Sequence, residues 1–229
     1  MTTRPGASVP GKPRVRTFML LRTATPADSS KIADLHADSW RRHYRGAYSD
    51  TFLDGDVAAD RRTVWSARLA APTGSVTIVA EQGDHLTGFV HLVIDHDPVW
   101  GSLVDNLHVA HDQHRNGIGT GLLTRAAGAA GGPIHLWVLR QNTAAQRFYR
   151  AVGGQAGETA LVAPPGGDPA RLHGSPEKLR MSWPDPASLV AVTATKANDR
   201  TGSTITPRMA LQQLGTASTF ARRTPEGSS

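Results

Sequence analysis

Between Leu103 and Leu123 the chain reads LVDNLHVAHDQHRNGIGTGLL, and this stretch restricts the fold more than any other. Its first seven residues alternate as a strand. Leu103, Asp105, Leu107 and Val109 fall on one face, and Val104, Asn106 and His108 on the other. A short polar loop follows, Ala110 to Asn116. Gly117-Ile118-Gly119-Thr120-Gly121 then leads into Leu122, Leu123 and an alanine-rich helix. Strand, glycine turn and helix in this order bind phosphate. Glycines let the backbone come close to the anion, and the unpaired N–H groups of the first helical turn face it. The helix dipole adds about half a positive charge at that end.

Spacing separates the folds that share this layout. A dinucleotide fingerprint needs a third glycine where Leu122 stands, and a Walker loop needs a Gly-Lys-Ser/Thr ending that is absent. His114-Arg115-Asn116-Gly117-Ile118-Gly119 instead resembles the Q/R-x-x-G-x-G/A pyrophosphate loop of the GNAT superfamily of N-acetyltransferases, which use acetyl-CoA. His114 departs from the pattern at its first position, and Arg115 offers the charge next door.

Two further stretches carry the same resemblance. After the apolar strand Ile134 to Leu139 comes RQNTAAQRFYR, residues 140–150. It is similar to the family pattern in which an Asn opens a helix ending in Phe-Tyr before a glycine turn, here Val152-Gly153-Gly154. Asn142 and Tyr149 are two helical turns apart, on one face and about 10 Å apart along the axis. Phe148, about 100° round, is expected to pack inward while Tyr149 points to a ligand. Trp40 to Gly55, WRRHYRGAYSDTFLDG, is similar to the first-helix region of a GNAT subgroup, where it lies beside the acceptor cleft. Trp40 and Phe52 read as packing, and Tyr44 and Arg45 are the candidates for touching substrate.

The remaining elements fit a single α/β domain. Phe18 to Thr23 reads as a strand. Thr25-Pro26-Ala27-Asp28 is a helix start with an N-cap, a proline at the first position and an acid in the first turn. Ile32, Leu35, Ser39/Trp40 and Tyr44 then recur at helical spacing. Asp56 to Leu69 is a second amphipathic helix. Ser75–Ala80 and Leu86–Ile94 form a hairpin. Gln155–Val162 and Lys178–Trp183 close the sheet. The expected fold is a GNAT-like mixed, splayed sheet of six to seven strands flanked by helices over residues 18–188. Residues 1–17 are expected to be a disordered basic extension, and 189–229 a disordered tail.

Charge narrows the partners. The net charge of +6 lies in the ends: residues 1–17 carry Arg4, Lys12, Arg14 and Arg16 and no acid, and residues 191–229 carry five basic and two acidic residues. The body is therefore close to neutral, and nucleic acid is not the expected partner. No stretch is long and apolar enough for a membrane span or a signal-peptide core, so a cytoplasmic protein without membrane contact is expected. With no cysteine, disulfides, thiolate metal sites and a Cys nucleophile are excluded. His108, His111 and His114 are three apart but straddle a strand end and a loop, so they read as loop and surface histidines and no metal is expected.

The resemblance implies a reaction: transfer of an acetyl group from acetyl-CoA to a primary amine, on a small molecule or a peptide. It implies cofactor contacts from Leu107, Val109, His114, Arg115, Asn116, Gly117, Ile118, Gly119, Thr120, Asn142 and Tyr149. A backbone N–H between Leu107 and Val109 would polarise the thioester carbonyl. An amine with a pKa near 10.4 is only about one part in a few thousand neutral at pH 7, so a base helps. Asp105 is the first choice, with His108 and Glu81 as alternates; a structural role for Asp105 beside Asn106 is the other reading. Tyr149, a phenol near pKa 10, would donate to the departing thiolate. The rival function is a non-catalytic acyl-CoA-binding sensor or regulator, which the glycine loop serves equally. A homodimer is left open.

Overall fold

The computed structural model describes residues 19–187 and Leu189. The expected extension 1–17, and the expected tail apart from Leu189, lie outside the described residues. Seven strands form one sheet in the order β1-β2-β3-β4-β5-β7-β6. They are β1 Met19–Thr23, β2 Ser75–Gln82, β3 His85–Asp97, β4 Gly101–Val109, β5 Ile134–Leu139, β6 Gln155–Leu161 and β7 Glu177–Trp183. All neighbouring strands run antiparallel except β4 and β5. No helix among the described residues is long and apolar enough to cross a membrane.

Among the described residues, five α-helices accompany the sheet: α1 Ser29–His43, α2 Asp50–Asp54, α3 Val57–Ala70, α4 Ile118–Ala130 and α5 Thr143–Ala151. The Thr25 start forms as a capping box with Asp28 around a 3-10 turn, and α1 continues from it. Strand alternation sorts the core into two layers. Ile78, Ala80, Val90 and Leu92 pack with Ile118, Leu122, Leu123 and Ala126 of α4. Val79 and Phe89 face the other way, onto Ile32 and Ala33 of α1 and Trp65 and Leu69 of α3. A third cluster gathers Trp40, Tyr48, Phe52 and Leu53 with Leu139 at the end of β5.

Within the stretch Trp40 to Gly55, α1 ends at His43 and a separate short helix α2 follows, capped by Ser49, whose side chain accepts from Phe52 N. Leu189, one residue past the expected domain end at 188, is fully buried in the main core cluster.

Candidate active site

The site is organised by an irregularity in β4. Opposite β3, Asn106 pairs with His91 and Val104 with Leu92, which leaves Asp105 without a partner. This is a β-bulge, and it shifts the alternation by one residue. Val104, paired with Leu92, lies on the α4 side together with Leu107 and Val109. Asn106 and His108, opposite His91 and Phe89, lie on the α1/α3 side. Uniform alternation therefore fails at Val104, which is expected on the face of Asn106 and His108 and lies with Leu107 and Val109 instead, for a reason that periodicity does not carry.

On its other edge, β4 pairs with β5 only through Ser102–Ile134 and Leu103–His135. From Val104 onward the two strands part, and the β5-facing backbone edge of β4 has no strand partner. The glycine loop closes this open end. His114 Nε2 lies 3.1 Å from the Val109 carbonyl and donates to it. Arg115 and Gly117 both hold positive φ, 67° and 80°, which turn the chain into α4. Gly121 N–H is the first to bond back, to the Gly117 carbonyl. A Cβ built on Gly119 would stand 3.3 Å from the Phe148 ring and 3.7 Å from Val109 Cγ2. Loop, β4 end and α5 thus meet at that glycine. Ile118 is buried in the α4 core and anchors the turn.

Helix α5 is set by Asn142, whose Oδ1 accepts from Ala145 N at 3.0 Å. Sequence reading missed Gln146, whose buried amide donates to the Leu139 and Arg140 carbonyls and ties α5 to the end of β5. The expected roles within Phe148-Tyr149 are reversed in packing. Phe148 is half-buried over Gly119, whereas Tyr149 is 8% exposed in the main core, its ring 6.0 Å from Trp183. Burial pushes the Tyr149 phenol well above its ordinary range, with a further push from Tyr44.

Tyr44, at the C-terminal end of α1, reaches the same region. It stacks on Trp40 at 5.3 Å and lies 5.0 Å from Tyr48. Burial, and after it the Asp105 carboxylate, push its pKa up to about 12. Tyr44 therefore interacts with both Asp105 and Tyr149, and brings together groups from α1, β4 and α5. Asp105 Oδ2 is held by Arg68 at 2.8 Å and by the Asn106 amide at 2.6 Å. Its Oδ1 has no partner among the described residues.

Comparison with known proteins decides what this arrangement is. Residues 35–153 match the profile of the family described as Acetyltransferase (GNAT) family. The chain belongs to that family. A Mycobacterium tuberculosis protein named Probable N-acetyltransferase Rv2775 is 28% identical over 131 residues, 56% of this chain and 75% of that protein. The fold resembles the PaiA N-acetyltransferase from Thermoplasma acidophilum in complex with coenzyme A, with a TM-score of 0.57 and 18% identity over 72% of this chain and 99% of that one. It also resembles YncA from Salmonella typhimurium with its cofactor acetyl-CoA, with a TM-score of 0.51 and 19% identity over 72% and 93% of the two chains.

In this GNAT chain three sequence candidates are occupied elsewhere. Both oxygens of Glu81 bind the Arg22 guanidinium, at 2.9 and 2.5 Å, in a network with Asp28 at the β1 edge. That salt bridge occupies both Glu81 carboxylate oxygens. His108 is buried, with Nδ1 2.7 Å from Ser39 Oγ, and desolvation pushes its pKa down to about 3. A group that resists protonation this strongly is a poor proton acceptor. The Arg45 guanidinium is held by Asp50 and Asp54, so it closes the α1–α2 turn instead of facing a substrate. Its backbone does matter: the Arg45 carbonyl accepts from Gln141 Nε2 at 2.7 Å, linking that turn to the start of α5.

Proposed function

We propose that this chain moves an acetyl group from acetyl-CoA to a primary amine of a small molecule or peptide, by direct attack of the amine on the thioester. The observation that carries the reading is the open end of β4, where the glycine loop, the bulged Asp105 and the Tyr149 side of α5 converge. Acetyl-CoA supplies an acyl group already activated as a thioester.

The residues fit that co-substrate. Positive φ at Arg115 and Gly117, and no side chain at Gly119, leave the first-turn N–H groups of α4 accessible to a pyrophosphate. Arg115 and His114 stand beside that position, with Asn116 and Thr120 flanking it. The β4 edge past Val104 offers a backbone N–H to a carbonyl oxygen, in the region of Leu107 to Val109. Asp105 takes the amine proton on its free Oδ1, directly or through one water, while Arg68 and Asn106 fix Oδ2. Tyr149 keeps its proton throughout the neutral range and directs it to the departing sulfur. Tyr44 walls the amine side, and Asn142 holds α5 in place through its cap.

A panel of amine classes, each supplied with acetyl-CoA and read by free thiol release, tests the reading. At least one class is expected to support turnover. With that amine, Asp105→Asn should lower kcat by roughly tenfold or more and leave acetyl-CoA affinity unchanged. Tight acetyl-CoA binding with no thiol release for any amine would favour the sensor function.

A further inference from the structure

We propose that His43, His111 and His114 form a binding site for one divalent cation of the Zn2+ type, where the end of α1 meets the glycine loop. The three residues come from separate parts of the chain. His43 is the last residue of α1, His111 opens the 3-10 turn His111–Gln113, and His114 follows it. A 3-10 turn repeats every three residues, so His111 and His114 fall on one side of it. That turn brings them to His43. One ring nitrogen from each of the three lies within 4.8 Å of the others. The His111 and His114 ring centroids are 5.3 Å apart, and those of His43 and His114 are 6.3 Å apart and nearly parallel. His108, which the sequence spacing groups with them, is buried with Ser39 instead.

Three features make this a ligand set. First, a carbonyl only accepts, so the Val109 contact puts the proton of His114 on Nε2 and leaves the Nδ1 lone pair for a metal. This is the outer hydrogen bond that orients metal-binding histidines. Second, Zn–N bonds of about 2.0 Å in a tetrahedron place ligand nitrogens about 3.3 Å apart. The remaining closure is small, and His111 and His114 are exposed and turn at little cost. Third, the cation would lie at the C-terminus of a 15-residue helix, the negative end of its dipole. Three imidazoles without a carboxylate select Zn2+, Ni2+ or Cu2+ over Mg2+ or Ca2+. They leave a fourth position for water.

The test uses the full chain, without any added histidine tag, stripped with a chelator. Zn2+ is titrated in competition with a chromogenic chelator, and Co2+ serves as a spectroscopic probe. One Zn2+ per chain is expected, with Co2+ giving visible d–d bands. His111→Ala and His43→Ala should each weaken Zn2+ binding by about tenfold or more and abolish those bands. His85→Ala, at an exposed histidine elsewhere, should change neither. His111 is exposed, so its variant carries the test even if His43→Ala folds poorly. Absence of saturable binding at one ion per chain would overturn the site. So would wild-type affinity in His111→Ala, or an equal loss in His85→Ala. A loss of CoA affinity in His111→Ala without Zn2+ binding in the wild type would assign these imidazoles to CoA phosphates instead.

Discussion

The glycine loop and the aromatic wall around Tyr44 lie on the two sides of the same open strand end, and they are built from different materials. The loop side is made of backbone: positive φ at Arg115 and Gly117, a missing Cβ at Gly119 and the first turn of α4. The opposite side is made of side chains: Trp40, Tyr44 and Tyr48 in contact, with Asp105 pinned by Arg68. A backbone-built site tolerates fewer sequences, because the left-handed φ at Gly117 and the tight space at Gly119 favour glycine. A side-chain-built site can be relined without disturbing the fold. The binding of a constant co-substrate suits the first side, and the choice of acceptor suits the second.

Substitutions should separate the two sides, and the largest effect belongs to the residue between them. Tyr149→Phe keeps the ring against Trp183 and removes only the hydroxyl. Turnover with a competent amine should fall by roughly 10²-fold while acetyl-CoA affinity holds, as for a group acting mainly in the transition state. Wild-type turnover in this variant would reduce Tyr149 to a packing residue.

Gly119→Val should weaken acetyl-CoA binding by roughly tenfold or more, about 1.4 kcal/mol. The added side chain enters the space under Phe148, where a Cβ alone stands 3.3 Å from the ring. Adding Phe148→Ala distinguishes two causes. Recovery of affinity would trace the loss to the aromatic lid, and continued loss would trace it to the phosphate cradle. Calorimetry on folded variants reads both.

Acid should act on the whole fold. Burial depresses His91 and His135 to about 4 and His108 to about 3. An unfolded chain binds these protons near pH 6.5 and the folded one does not, so the unfolded state carries more protons in that window. Stability therefore falls as pH drops from about 6.5 toward 4, by on the order of 1.4 kcal/mol per pH unit for each such histidine. Denaturant unfolding followed across this range checks the slope; a flat profile would mean that these imidazoles are solvated.

The smallest effect is expected at Arg45, whose exposed ion pairs with Asp50 and Asp54 are screened by solvent. Arg45→Ala should leave the acceptor KM within about twofold. A large rise in KM would return Arg45 to the acceptor site.

The same division explains what could be read from the sequence. The strand–glycine–helix succession was legible because each step forbids other residues. The strand Ile134–Leu139 was legible because it is apolar throughout. The bulge was not, since Asp105 leaves no compositional mark and the residues after it, Asn106 to Val109, still alternate polar and apolar. Periodicity consequently assigned Val104 to the wrong layer. Tyr149 and Phe148 were exchanged in depth because helical spacing fixes their angular separation but not which one meets the core. His36 took a fully buried position one turn from Ile32, where its Nδ1 accepts from Trp65 Nε1 at 2.9 Å. A histidine whose Nδ1 partner lies far along the chain carries no local signal. The same holds for Gln141, whose bond to the distant Arg45 carbonyl ties the α1–α2 turn to the start of α5.

The short contact between β4 and β5 also bears on how the molecule assembles. Strands β2, β3 and β4 form a meander of antiparallel neighbours, each close in sequence to the next. The β4–β5 pair is parallel and must wait for the α4 crossover, and only two residue pairs reward its closure. Local contacts form early and distant ones late. The join that creates the cleft is thus the seam with the fewest paired residues in the sheet, so the cleft exists only once both halves are finished.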